Sequence, residues 1–355
     1  MTIPRLRLPN AFWTRLLWIS VANWAWAVVV TQRVLEMHEG PPRMALILVG
    51  VATLSSFSNW AAARLSRSPF RHLPWLLVLG IAARHWHHHA LRQKYEASAP
   101  VKSVGPAQSL ARPITTTDVV LRYYALSSNH LSVERLRLIL LTDLHVTPML
   151  PRGYYERVFD LVAAQDADLI LLSGDYVSQP ANLELLASLF VRRWPARLGA
   201  FAVLGNHDIW TDSTRVSEIL RNGGVRVVSG RCERLPETVG QVAVCGTEAP
   251  WGPELSTVLD RNALNLVLSH TPDNVYRLAE QGASLVFSGH THGGQLRMPV
   301  LGSIVIPSRF GGLFDEGHFR VAGSDLFVSA GVGVDMPPLR VYCPPEIFVI
   351  DITRQ

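Results

Sequence analysis

Three aspartates, one asparagine and five histidines fall in five short polar clusters. These are Asp143-Leu-His145, Gly174-Asp175, Gly205-Asn206-His207-Asp208, His270, and Gly289-His290-Thr291-His292-Gly293. Carboxylate oxygens, an amide oxygen and imidazole nitrogens are ligands for divalent cations, and this mixed N/O set suits Mn²⁺, Fe or Zn²⁺ better than Ca²⁺ or Mg²⁺. The set is large enough for two of them. A carboxylate such as Asp175 can bridge such a pair, one oxygen to each. Two metals ~3.5–4 Å apart bind a phosphoryl group and generate hydroxide near neutral pH. Asp143 and His145 are two apart, as are His290 and His292, so in an extended segment each pair faces one way. Gly174 lets the backbone turn sharply ahead of Asp175.

The elements that must position these residues are short apolar runs, each ending at a cluster: Leu138–Leu141, Leu169–Leu172, Phe201–Leu204, Leu264–Leu268 and Leu285–Phe287. Runs of this kind are expected of buried strands. Helix-length segments separate several of them, roughly Tyr154–Ala164, Leu183–Arg193, Val216–Arg221 and Asp273–Gln281. Alternating strands and helices imply an α/β layer architecture. In such sheets ligands gather outside the carboxyl ends of the strands, where all five clusters fall.

With the clusters D-x-H, GD, GNHD, H and GH-x-H in place, the chain resembles the calcineurin-like metallophosphoesterases, from about Leu138 to Ile350. The segments Gly289–Gln295, Val328–Gly333 and Arg340…Pro345-Glu346 resemble a bacterial membrane-associated branch that includes the YaeI- and YkuE-type phosphodiesterases. The resemblance implies a four-layer α/β/β/α sandwich with two divalent metals, manganese first and iron or zinc also compatible. It implies one metal on Asp143, His145, Asp175 and His292, and a second on Asp175, Asn206, His270 and His290, bridged by Asp175. His207 would stand beside the scissile phosphate, stabilising charge and protonating the leaving oxygen, with Asp208 as a weaker candidate for tuning it. Later strands near Ile304–Ile306, Phe319–Val321, Leu326–Ser329 and Ile347–Ile350 alternate with turns, consistent with a second antiparallel sheet.

Two positions depart from the family pattern. Ser178 stands three residues after the bridging aspartate, where many relatives carry a carboxylate, so a lost hydrogen bond is expected there rather than a lost metal. Thr247-Glu248 replaces an Asp pair, which puts substrate contacts of that loop in doubt. Other features have plain readings. Gly293-Gly294 reads as a turn rather than a phosphate cradle. Cys232, Cys245 and Cys343 lack metal spacing, and their odd number argues for buried free thiols rather than a disulfide framework. The run Arg84-His-Trp-His-His-His-Ala90 follows an apolar stretch and reads as an interfacial collar.

The first third of the chain differs in composition. Leu16–Val30 is apolar and Trp-rich, Met44–Ala63 is charge-free over the length a membrane helix needs, and Leu73–Ala83 is apolar but short. The expected organisation is a membrane-anchoring helical region over 1–95 with two spans or three, a linker over 96–113, and the catalytic domain over 114–355. With two spans, Arg5, Arg7, Arg15, Arg64, Arg67 and Arg71 share one side, against Arg33 and Arg43 on the other. The positive-inside rule then places the catalytic domain on the cytoplasmic face of the inner membrane. The formal net charge of +5 fits arginines beside an anionic bilayer, and no long basic run interleaved with aromatics points to nucleic acid.

The expected function is hydrolysis of a phosphodiester or pyrophosphate bond through metal-bound hydroxide. The expected partners are the lipid bilayer and an amphipathic or nucleotide-lipid substrate, with UDP-2,3-diacylglucosamine of lipid A synthesis as the candidate. A nuclease of the same fold and a non-catalytic metal-binding membrane scaffold are the alternatives.

Overall fold

Helix α1 (Leu73–Arg92) carries the histidine-rich run, and Trp86 on it is exposed. The computed structural model describes residues 18–21, 23 and 73–355, apart from 192, 193, 300, 301 and 304. The expected spans Leu16–Val30 and Met44–Ala63 therefore lie almost wholly outside the described residues. Among those described, no helix is long and apolar enough to cross a membrane. The chain divides into two units, 1–90 and 91–355, and all five polar clusters belong to the second.

In chain order this second unit contains β1 (Lys102–Val104), β2 (Val120–Ser128), β3 (Arg135–Leu141), α2 (Arg152–Ala163), β4 (Leu169–Leu172), α3 (Leu183–Phe190), β5 (Ala200–Ala202), α4 (Asn206–Asn222) and β6 (Val225–Val227). It continues with β7 (Cys232–Arg234), β8 (Val242–Thr247), β9 (Leu264–Ser269), α5 (Val275–Gln281), β10 (Leu285–Ser288), β11 (Arg297–Met298), β12 (Gly302–Ser303), β13 (Gly317–Val321), β14 (Ser324–Val328) and β15 (Glu346–Arg354). One sheet runs β1-β2-β15-β3-β4-β5-β6 and another β13-β14-β10-β9-β8-β7, while β11 and β12 form a small ribbon. Strands β3 to β6 are mutually parallel, and α2, α3 and α4 join them in succession.

Side-chain alternation builds the layers. On β3 and β4, Ile139, Leu141, Ile170 and Leu172 pack against Tyr154, Val158, Leu186 and Ile219 of the helices. Leu138, Leu140, Leu169 and Leu171 point the other way and meet Leu266, Leu268, Phe287 and Phe327 of the second sheet. The far face of that sheet, through Val267, Val286 and Val328, packs on Val275 and Leu278 of α5. Helix, sheet, sheet, helix is the resulting order. The central strands, β4, β9 and β10 among them, are buried on both faces because both faces are covered.

Four expectations need correcting. The second sheet is mixed, with a parallel centre (β8, β9, β10, β14) and antiparallel edges. The strand expected there over Ile347–Ile350 is instead part of β15 and lies in the first sheet between β2 and β3. It is buried on both faces, Val349 toward the helices and Phe348 and Ile350 toward the second sheet, which requires a central place. The stretch 96–113 is more than a linker: β1 pairs with β2, and Glu96 bridges to Phe319. Cys232 and Cys245 are not free thiols. They sit directly opposite each other on β7 and β8 and form a disulfide, leaving Cys343 free and buried. The odd count misled because pairing depends on register, which the count does not contain.

Candidate metal centre

The carboxyl ends of five parallel strands, from both sheets, converge on one place. Asp143 and His145 follow β3, Asp175 follows β4, Asn206 to Asp208 open α4 just after β5, His270 follows β9, and His290 and His292 follow β10. The expected helix near Val216 is the second part of α4, which opens at Asn206 with a separate helical segment and is broken at Asp212, whose backbone is extended. The first turn of α4 is polar because it serves the site, so apolar periodicity starts only later.

The paired ligands do not share a face through extended backbone. Asp143, His145, Asp175, His290 and His292 all have left-handed φ, between 40° and 68°, which non-glycine residues adopt rarely. Backbone bonds hold them there: Asp143 N–H donates to Gly174 O at 3.0 Å and His145 N–H to Asp175 O at 3.0 Å. Close approach explains two glycines. A Cβ on Gly205 would collide with the Asp175 carboxylate, and one on Gly289 with Asp143 and Thr142.

Donor atoms cluster in overlapping groups, Asp143/His145/His292, His145/Asp175/His207 and Asp175/His270/His290, each within 4.8 Å. Among the described residues these are the groups of such side chains that could hold a cation, and the histidine run of α1 is not among them. His145 Nε2 and His292 Nε2 lie 3.0 Å apart. Asp175 sits between the outer groups. Its Oδ1 accepts from His207 N–H at 2.9 Å, and its Oδ2 faces His270 Nε2 at 3.1 Å and His145 Nε2 at 3.5 Å. The outer rings are aimed by further partners. His145 Nδ1 meets Ser178 Oγ at 2.6 Å, and His270 Nδ1 donates to Ser173 O at 2.7 Å. Ser178 thus keeps a hydrogen bond to a candidate ligand, His145, where the family pattern has a carboxylate.

The residues fit a metal pair. Asn206 Oδ1 is buried with no hydrogen-bond partner, a costly state unless a cation satisfies it, while His270 Nε2 has the Asp175 carboxylate as its neighbour at 3.1 Å. Because His270 Nδ1 donates to a carbonyl, a neutral His270 presents a lone pair at Nε2, facing another acceptor on Asp175. Electrostatics agree. Burial, with Asp175 adding to it, pushes Asp143 up to about 6. Burial lowers His145 to about 4, and holds His290 and His292 well below the usual imidazole range. Neutral imidazoles are what a metal requires. Burial also opposes charge on His270, but the Asp175 carboxylate outweighs it and carries this ring up to about 9. Burial likewise opposes charge on Asp175, yet His270 and His207 pull it well below the carboxylate norm. His270 and Asp175 are thus a cation and an anion in the place where a metal would supply the positive charge.

Asp208 does something other than tune His207. Its Oδ2 accepts from the amides of Asp175 (2.8 Å) and Gly205 (3.0 Å), and its Oδ1 from Tyr176 (2.8 Å) and Val177 (3.1 Å). All four donors belong to the loops that carry Asp175 and Asn206. The carboxylate beside His207 is Asp335, with Oδ2 3.7 Å from Nε2. Glu248 is buried and accepts from Leu204 N–H at 2.8 Å and from the Ser229 hydroxyl, so it braces the strand end before Asn206. The turn reading of Gly293-Gly294 agrees with the amide bonds: Gly293 N–H goes to Thr291 Oγ1 and Gly294 N–H to Thr291 O.

Sequence reasoning missed other residues. Arg340 is fully buried and donates to Gly333 O at 2.8 Å and Ala330 O at 2.7 Å, with His292 O at 3.4 Å. Trp251 lies 5.0 Å from the His290 ring and exposed Trp210 lies 5.4 Å from the His207 ring, both between centroids. The signal for Arg340 was its place in the Arg340…Pro345-Glu346 motif. Nothing local marked the tryptophans.

The sequence matches the calcineurin-like phosphoesterase family over residues 136–294. It is 30% identical to phosphodiesterase YaeI of Escherichia coli over 228 residues, which cover 61% of this chain and 82% of that one. It is 25% identical to the uncharacterized metallophosphoesterase YkuE of Bacillus subtilis over 225 residues, 61% of this chain and 78% of that one. A transmembrane protein with metallophosphoesterase domain from Danio rerio is 29% identical over 237 residues, 61% of this chain and 53% of that one.

Proposed function

The chain belongs to the calcineurin-like phosphoesterase family, and from that premise we propose that it is a membrane-associated phosphodiesterase or pyrophosphatase acting on a lipid-linked substrate, with UDP-2,3-diacylglucosamine as the candidate. That it is a metal-dependent phosphoester hydrolase follows from the family and from the phosphodiesterase among its relatives. The observation that carries the chemistry is the double cluster meeting at Asp175, with Asn206 Oδ1 buried and without a hydrogen-bond partner.

Asp143, His145, Asp175 and His292 would hold one divalent ion, and Asp175, Asn206, His270 and His290 the other. Manganese is the proposed metal. Such ions supply Lewis-acid charge and activate water near neutral pH. The chain's own residues do the rest. The His207 side chain is 23% exposed, whereas His145, His270 and His292 are buried, so it can reach a leaving oxygen and give it a proton. Trp210 and Trp251 form an apolar wall beside His207 and His290, suited to the part of a substrate beyond its phosphate.

Support for the lipid-linked substrate is the apolar character of the first third of the chain. The arginine distribution there favours a cytoplasmic catalytic face. The Cys232–Cys245 disulfide is the observation that opposes it, since such bonds persist in oxidising compartments.

The test is Mn²⁺-dependent release of UMP from UDP-2,3-diacylglucosamine by the detergent-purified full chain, beside a generic aryl phosphodiester, with Asp175→Ala as control. UMP release that the variant abolishes is the expected result. Activity on the aryl diester alone would overturn the substrate and keep the hydrolase. A His207→Ala variant as active as the parent on every substrate would overturn its role in leaving-group protonation.

A further inference from the structure

The segment between β14 and β15, especially Gly331 to Arg340, has no assigned part in the chemistry. We propose that it is an active-site loop and that Asp335 is the positioning residue for His207, a reading that rests on His207 being the proton donor.

Among the described residues Asp335 supplies the one carboxylate within 4.0 Å of an imidazole nitrogen of His207. An exposed ion pair of this kind is ordinarily worth little, and the Asp335 side chain is 44% exposed. Its backbone separates it from that ordinary case. Asp335 N–H donates to Gln295 Oε1 at 2.9 Å, and Gln295 Nε2 donates back to Asp335 O at 3.0 Å and to Pro337 O at 2.6 Å. Gln295 is buried, three residues after the ligand His292, to whose carbonyl its own N–H donates at 2.9 Å. Upstream, Val332 N–H donates to Thr142 O and Gly333 N–H to Asp143 O. Arg340 ties Ala330 and Gly333 together beneath them. The loop is thus fastened to both ligand segments, Thr142-Asp143 and His292–Gln295, and it carries Asp335 to the imidazole as part of that frame.

The other acids of the neighbourhood are engaged elsewhere. Asp208 is occupied by four amides, and position 178 is a serine bonded to His145. The separation of 3.7 Å exceeds a hydrogen bond, and catalytic contacts commonly tighten when substrate binds. In the step concerned, a water oxygen forms a bond to phosphorus and releases a proton to solvent, and the bond from phosphorus to the leaving oxygen breaks. That oxygen takes the proton from His207, which is left neutral. Water then returns a proton to the ring. Asp335 holds the ring in its donating orientation.

The experiment uses the Mn²⁺-loaded full chain and two diesters that differ only in the departing group, 4-nitrophenolate or unsubstituted phenolate. The first departs with little need of a proton and the second depends on one. For Asp335→Asn the expected result is a loss in kcat of about tenfold or more on the phenyl ester, within the range general acid catalysis contributes, and under about threefold on the nitrophenyl ester. Asp335→Glu should recover much of the difference. His207→Ala should show the same bias more strongly, and the double variant should lose little beyond it. Equal losses on both esters for Asp335→Asn, or none, with the bias present in His207→Ala, would overturn the role of Asp335 and leave the proton donor standing. Absence of the bias in His207→Ala would remove the premise itself.

Discussion

Replacing Asp208 by asparagine separates a structural role from a catalytic one. The carboxylate receives two amide donors on each oxygen, from Asp175 and Gly205 on one side and Tyr176 and Val177 on the other. Asparagine keeps one oxygen and turns an NH₂ toward the other pair, so two buried N–H groups lose their acceptor. Each costs about 1–3 kcal/mol, and the pair about 4 kcal/mol, a large share of a domain's total of about 5–15 kcal/mol. At about 2–4 °C per kcal/mol for a domain of this size, the melting temperature should fall by roughly 8–16 °C. Metal affinity should fall with it, because the freed amides belong to the loops that carry Asp175 and Asn206. The assay is thermal melting by circular dichroism of the metal-free and Mn²⁺-loaded protein, with His207→Ala as comparison. That variant should melt near the parent and lose turnover. An Asp208→Asn protein that melts within about 2 °C of the parent, binds Mn²⁺ normally and loses turnover like His207→Ala would refute the reasoning and return Asp208 to a role in tuning the imidazole.

Two other predictions concern conditions rather than side chains. His270 in the metal-free protein is carried up to about 9 by Asp175 against the effect of burial, above its ordinary value near 6.5. A raised folded-state value means that this stabilisation is complete below the unfolded value and is lost as pH rises through the folded one. Melting of the metal-free protein should therefore decline from about pH 6.5 to 9, and Mn²⁺ loading should flatten the decline; a decline unchanged by metal would contradict the ligand assignment. The Cys232–Cys245 bridge reports on compartment, since glutathione keeps cytosolic thiols reduced. Maleimide labelling of denatured protein from rapidly quenched cells should find both thiols free if the catalytic unit faces the cytoplasm. Labelling of both only after reduction would place the unit on the opposite face.

Legibility followed burial. β4 and the end of β3 are apolar on both faces because helices cover one side and the second sheet the other, so they read directly from the sequence as apolar runs. α4 did not, because its first turn, Asn206-His207-Asp208, is polar for reasons that lie in other segments: Asn206 buries an oxygen that no protein group satisfies, and Asp208 binds amides of the loop after β4. β15 was legible as a strand but not as a central one, since its neighbours β2 and β3 are chosen by long-range pairing. Asp335 illustrates the same difficulty. Its tie to His207 runs through Gln295 and the ligand loops, and an isolated Gly-Val-Asp-Met-Pro reads as an ordinary turn.

The ligand types were visible in the sequence, whereas the backbone that aims them was not, and the two are connected. Five of the proposed ligands occupy the left-handed region, and all five are Asp or His, types enriched there among non-glycine residues. Held without compensation, such residues cost of order 1 kcal/mol or more each. Here the compensation comes from bonds between ligand segments, Asp143 to Gly174, His145 to Asp175, and His290 N–H to Asp143 Oδ1 at 3.0 Å. Each of these loops is therefore stable chiefly in the presence of the others. A cation bound by residues from all of them acts on the same balance, so the segments most sensitive to metal removal should be these strand ends, while the apolar strands behind them remain in place.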